Sequence, residues 1–149
     1  MSKLSRGYIM SGGGILRLRY KTVEETLSMM DEFSRMDVSE IEGDRRLAFA
    51  LRATVFFYAQ GLMDLANLVV AQRDLTPKNH REILELLIRA KLVEDKYEDL
   101  LAVLVDIRNE LLFLYEDLDI GSLYEFVRKH KDVLNELYHK MIRLGGEVE

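Results

Sequence analysis

Apolar residues return along this chain every three or four positions, and no stretch alternates as a strand would. Leu16, Tyr20, Val23, Leu27 and Met30 step by four, three, four and three, the stripe of an amphipathic helix that ends near Arg35. A repeat of about 3.5 residues suits helices packed in a bundle. Met36 to Asp44, polar and carrying Gly43, reads as a connection. A long helix follows from about Arg45 to Gln72, with Leu47, Leu51, Val55, Tyr58, Leu62, Leu65 and Val69 as its stripe. Phe49, Phe56 and Phe57 fall off that stripe, so this helix is apolar on more than one side and is expected between several neighbours or between subunits. Gly61 in its middle is costly unless another backbone approaches closely there.

Thr76-Pro77 breaks the pattern, and Asn79 with Glu82 three residues on forms a plausible cap pair. A short helix, His80 to Ala90, uses Ile83, Leu86, Leu87 and Ala90. Next comes a helix from about Glu94 to Leu114, whose stripe is Leu100, Leu104, Ile107, Leu111 and Leu114. Glu94, Asp95, Glu98 and Asp99 crowd its first turns, where the helix dipole favours negative charge. Glu116, Asp117 and Asp119 interrupt it, and Asp119 is placed to cap a last helix, about Gly121 to Leu144, closed by Gly145-Gly146. The pattern predicts an all-α, four-helix up-down bundle with one short extra helix. The helical domain is expected over residues 15–144, behind a flexible, glycine-containing leader over 1–14.

Composition narrows the chemistry. A length of 149 residues with 48% hydrophobic content fits one domain with a real core. With no cysteine, disulfides, thiolate metal sites and cysteine nucleophiles are excluded; this fits a cytoplasmic protein. No uninterrupted apolar run approaches the length of a membrane span. A net charge of -5 argues against bulk, non-specific nucleic-acid binding, while leaving room for a small local RNA site. Glu136 and His139 have the spacing of a di-iron bundle ligand pair, but such a centre needs two pairs and two further glutamates. There is no His-Glu-x-x-His, no phosphate-cradling glycine loop and no serine elbow.

Candidate chemistry concentrates at the end of the third long helix. Arg108 lies beside the apolar stripe, and Tyr115, seven residues on and nearly two turns away, shares its face. An Arg with a packed stem and a hydrated head is the bland explanation. Phe113 points about 140° away from Arg108 on an ideal helix, towards the side of Asp106, Asn109 and Glu110. Asp64 and Asn67, three residues apart on the second long helix, form a second polar patch.

These residues carry a resemblance. Arg108, Asn109, Leu111, Leu112, Tyr115, Asp119 and Tyr124 match in order the Arg-Asn-x-Leu-Val-His-x-Tyr…Asp…Tyr signature of the HepT-like members of the HEPN superfamily. Asp64-Leu65-Ala66-Asn67 is similar to the family's Asp-x-Ala-Asn, and the likeness spans about Asp44 to Met141. The departure is Phe113, at the position of the family's catalytic His. The resemblance implies a HEPN-like homodimer and metal-independent RNA cleavage without a cofactor. Two Arg and two His converge across the two-fold, with Arg108 and Asn109 as site residues and Asp64 and Asn67 behind Arg108. It implies a minimal nucleotidyltransferase antitoxin as partner, with Tyr115 the candidate acceptor of AMP. Loss of the proton-transfer side chain at Phe113 implies that RNA cleavage is lost or weakened. The alternatives are an active endoribonuclease using Arg108 and Tyr115, or a non-catalytic nucleotide- or substrate-binding subunit of a nucleotidyltransferase. Arg73 and His80 also have an Arg-x6-His spacing, but they straddle Pro77, and this reads as chance.

Overall fold

A computed structural model describes the backbone of residues 12–113 and 118–146, with side chains from Tyr20 onward. The helices are α1 (Gly12–Ser34), α2 (Val38–Glu42), α3 (Arg45–Ala71), α4 (His80–Arg89), α5 (Glu98–Phe113) and α6 (Ile120–Gly146), with a 3-10 turn, Asp95–Tyr97, leading into α5. No strand occurs among the described residues, so the chain is all-α. Four long helices make the bundle. The connection expected over Met36 to Asp44 is itself partly helical: Val38–Glu42 forms one short helix capped by Asp37, and Ile41 buries its side chain against the bundle. Among the described residues two short α-helices are therefore present, not one. Helix α1 begins at Gly12, inside the stretch expected as leader, and α6 continues through Gly145 and Gly146.

Helix α3 organises the packing, because it touches every other described α-helix. The stripe read from the sequence is buried from Leu51 onward, Leu47 being only partly covered, and Ala48, Ala59, Gly61, Met63, Ala66 and Val70 on its other sides are buried too. Part of α3 is long and apolar enough to cross a membrane by length and composition, a property the uninterrupted-run test missed; most of that part is buried within the bundle. At Gly61 a Cβ would run into the Cγ2 of Val23 on α1, which is itself fully buried. Tyr58, fully buried, donates its hydroxyl to the Leu134 carbonyl at 2.6 Å and so ties α3 to α6. Burial pushes its phenol well above the ordinary value, keeping it a neutral donor.

Directions follow from pairs of contacts. Tyr58 with Leu134, and Arg73 with the Leu144 carbonyl at 3.1 Å, set α6 parallel to α3. Lys131 with Asp31 at 2.8 Å, and Tyr138 with Glu24 at 2.9 Å, set α1 antiparallel to α6. The short segment 114–119 joins the end of α5 to the start of α6, so α5 runs back down α3 and the order is up-down-up-down. Asp119 caps α6, accepting from the Ser122 backbone N–H at 3.0 Å. Asn79 caps α4 in the same way, accepting from the Glu82 N–H at 2.9 Å. Tyr124, buried, donates to the Met36 carbonyl at 2.6 Å and pins the start of α6 to the corner between α1 and α2.

Candidate functional site

Arg108 is not beside the buried stripe of α5 but within it. Leu101, Leu104, Val105 and Leu111 are the buried residues of this helix, whereas Leu100 and Ile107 are only partly covered. Leu101, Leu104, Arg108 and Leu111 step by three, four and three, the spacing of a helix–helix seam. A guanidinium in a seam must be hydrogen-bonded or it forfeits its hydration without return. The facing helix supplies the partner: Arg108 Nε donates to Gln60 Oε1 at 2.9 Å, and Gln60 Nε2 donates onward to Asp64 Oδ1 at 3.2 Å. The amide of Gln60 is thereby oriented at both ends, its oxygen towards the cation and its nitrogen towards the carboxylate. One Nη of Arg108 donates to Asn109 Oδ1 at 3.0 Å. The other guanidinium N–H groups have no partner among the described residues and remain open to an anion.

The structure thus joins Asp64, Gln60, Arg108 and Asn109 in one hydrogen-bonded chain across α3 and α5. Gln60, the residue that sequence reasoning passed over, bonds both Asp64 and Arg108. A signal was available: Gln60 lies four residues before Asp64 and seven before Asn67, a lone amide in an apolar stretch. Asn67 is exposed and stands outside this chain. With Asp64 it lines a cleft of about 450 Å³ between α3 and the start of α4, closed by Met63, Pro77, Lys78, Asn79, His80 and Ile83. Arg81, next to His80, pairs with Asp106 at 2.7 Å and fixes the first turn of α4 two residues from Arg108.

Phe113 ends α5 with 75% of its surface exposed, and Leu112 beside it is also exposed. Phe49 and Phe57 on α3 are exposed as well, while Phe56 is partly buried and meets Phe57 edge to face. Since α5 descends past Gln60 towards the N-terminal half of α3, these rings flank the same end of the bundle. Tyr115 lies outside the described residues. Two other positions of the motif have clear structural work: Asp119 caps α6 and Tyr124 anchors it. Arg73 binds the Val69 and Leu144 carbonyls and so closes helix ends. Glu136 accepts the Tyr97 hydroxyl at 3.4 Å, and His139 is exposed.

An all-α bundle with a partly buried polar relay at the seam of its second and third long helices is the class that fold and site define. The family model described as "Ribonuclease HepT-like" matches residues 23–141, which takes in all of α3 and α5, parts of α1 and α6, and both halves of the relay. The chain belongs to the HepT-like ribonuclease family of the HEPN superfamily. No curated protein matches it.

The relay makes a stability prediction. Gln60→Leu keeps the volume but removes both hydrogen bonds, leaving Arg108 Nε unpaired in the seam. Chemical denaturation should show a loss of about 1.5–3 kcal/mol, the range for a hydrogen bond to a charged group. In a double-mutant cycle with Arg108→Met the two losses should fall well short of additive. Additive losses would mean that the bond contributes nothing to the packed seam.

Proposed function

We propose that this protein is the toxin-type half of a pair with a minimal nucleotidyltransferase, a homodimeric RNA-cleaving scaffold whose cleavage is weakened by Phe113. The observation that carries the reading is Arg108, held in the seam by Gln60 with N–H donors still open to a phosphate. A guanidinium fixed in this way stabilises the charge that builds on a phosphate under attack, and it needs no metal to do so. Phe113 cannot take up or give a proton, so the exchange removes acid–base help and leaves charge stabilisation intact. Its ring points away from the seam, which accords with a site completed by a second subunit. The exposed Phe49, Phe57, Leu112 and Phe113 offer an apolar surface for a two-fold contact. Tyr115 is the proposed acceptor of an adenylyl group from ATP, with release of pyrophosphate. The added negative charge beside Arg108 would occupy the cation that RNA needs.

Light scattering at micromolar concentration should give twice 17.4 kDa. A clean monomer would remove the two-fold from the proposal. After incubation with the partner nucleotidyltransferase and ATP, intact mass should rise by whole AMP units. Tyr115→Phe should abolish the gain; a gain that persists would place the acceptor elsewhere. Phe113→His restores a group that titrates near neutrality, and acid–base help is typically about 10²–10⁴-fold. RNA cleavage should therefore rise steeply over the weak wild-type level and vanish on adding Arg108→Ala. Vigorous wild-type cleavage that Phe113→His fails to improve would refute the weakened-enzyme reading in favour of a fully active endoribonuclease.

A further inference from the structure

The exchange at Phe113 leaves open which group moves protons in whatever cleavage remains. The chain has three histidines. His130 is partly buried on α6 against the ring of Phe126, and burial lowers its pKa, so it favours the neutral state. His139, also on α6, lies exposed with its ring edge on Tyr138. Neither adjoins the relay. His80 does: it is the first residue of α4, half-buried, in the wall of the cleft that also contains Asp64, the end of the Asp64–Gln60–Arg108 chain.

Its place is fixed rather than incidental. Asn79 caps the helix that starts at His80, which sets the backbone of that turn. The ion pair from Arg81 to Asp106 then ties the turn to α5, two residues before Arg108. The cleft is large enough, at about 450 Å³, for part of a nucleotide, and its walls suit one. Met63, Pro77 and Ile83 offer an apolar floor for a base or ribose face, while Asp64, Asn67 and Asn79 offer hydrogen-bonding groups and Lys78 a cation. RNA with a phosphate on Arg108 would lay a neighbouring nucleotide towards this cleft.

We propose that His80 is the proton-transfer residue for RNA cleavage by this protein, a role opened by the cleft that places it beside the Arg108 relay; the proposal rests on the ribonuclease reading above. In the step, the 2′-hydroxyl oxygen bonds to phosphorus and the bond from phosphorus to the 5′-oxygen breaks. His80 takes the 2′-hydroxyl proton, water supplies one to the departing 5′-oxygen, and the products are a 2′,3′-cyclic phosphate and a 5′-hydroxyl end. Arg108 holds the phosphoryl oxygens throughout. Sequence spacing pairs His80 with Arg73, but Arg73 is engaged on backbone carbonyls; the relevant arginine is Arg108, linked to the His80 cleft through Gln60 and Asp64.

The test uses the full chain and a single-stranded RNA oligonucleotide. The pH profiles of kcat/KM are compared for wild type, His80→Gln, His80→Ala and Arg108→Ala. His80→Gln should lower the wild-type value by about 10²-fold or more and alter the shape of its profile. Added imidazole should restore cleavage to His80→Ala and not to Arg108→Ala, which separates a missing proton acceptor from a misfolded variant. Three results overturn the proposal. If His80→Gln keeps the wild-type rate and profile while Arg108→Ala is inactive, His80 is not involved and the ribonuclease reading stands. If His80→Gln is slow with an unchanged profile and imidazole does not help, His80 only positions the substrate. If wild type shows no cleavage that depends on Arg108, both readings fall.

Discussion

Helix α3 has almost no side left for water, and that constraint governs the rest of the structure. Packed against every other described α-helix, it must either be apolar or satisfy each polar group from a neighbour. Tyr58 does so with the Leu134 carbonyl and Gln60 with Arg108, while Thr54 bonds back within α3 to the carbonyl of Ala50 at 2.6 Å. The remaining strip of α3 changes character along its length. Its N-terminal half shows Phe49 and Phe57, and its C-terminal half shows Asp64 and Asn67. Gln60 sits at the change, and there α5 delivers Arg108. The candidate chemistry thus arises where a packed helix runs out of apolar surface.

Most of the helices were legible because their stripes are long and periodic. The all-α class, the four long helices, the cap at Asn79, the cap at Asp119 and the close approach at Gly61 all follow from local rules about spacing and helix ends. Val38–Glu42 was not legible as a helix, since five residues hold too little periodicity and Ile41 alone carries the packing. Arg108 was set at the edge of its stripe because Leu100 and Ile107 pull an apolar average away from the true seam. The residues that fill the seam, Leu101, Leu104, Val105 and Leu111, do so because α4 covers α5 on the adjoining side, and a single-helix pattern cannot register a second neighbour. Gln60 was missed for the same reason. Its importance lies in a contact across 48 positions of sequence.

The motif itself divides into two kinds of residue. Asp119 and Tyr124 build the start of α6, one as a cap and the other as an anchor on Met36. Arg108 and Asn109 are bonded to each other and to the relay. A resemblance spread over the whole string therefore mixes architecture with chemistry, and belonging to the family supports the first more firmly than the second. The exchange at Phe113 illustrates the difference. The position is exposed at a helix end, so a large ring there disturbs no packing and the fold is indifferent to it.

The packing of α5 has a further consequence. Helices α1, α3 and α6 pack on one another as a closed trio, whereas α4 and α5 form a hairpin applied to α3. The relay therefore spans a seam between two pieces of the molecule, with Gln60 and Asp64 on the trio and Arg108 on the hairpin. Local opening that lifted the hairpin would dissolve the relay while leaving the trio's own contacts whole. The arginine is thus an assembled feature, correctly aimed only in the docked arrangement, and its readiness is a property of a docking equilibrium inside the chain.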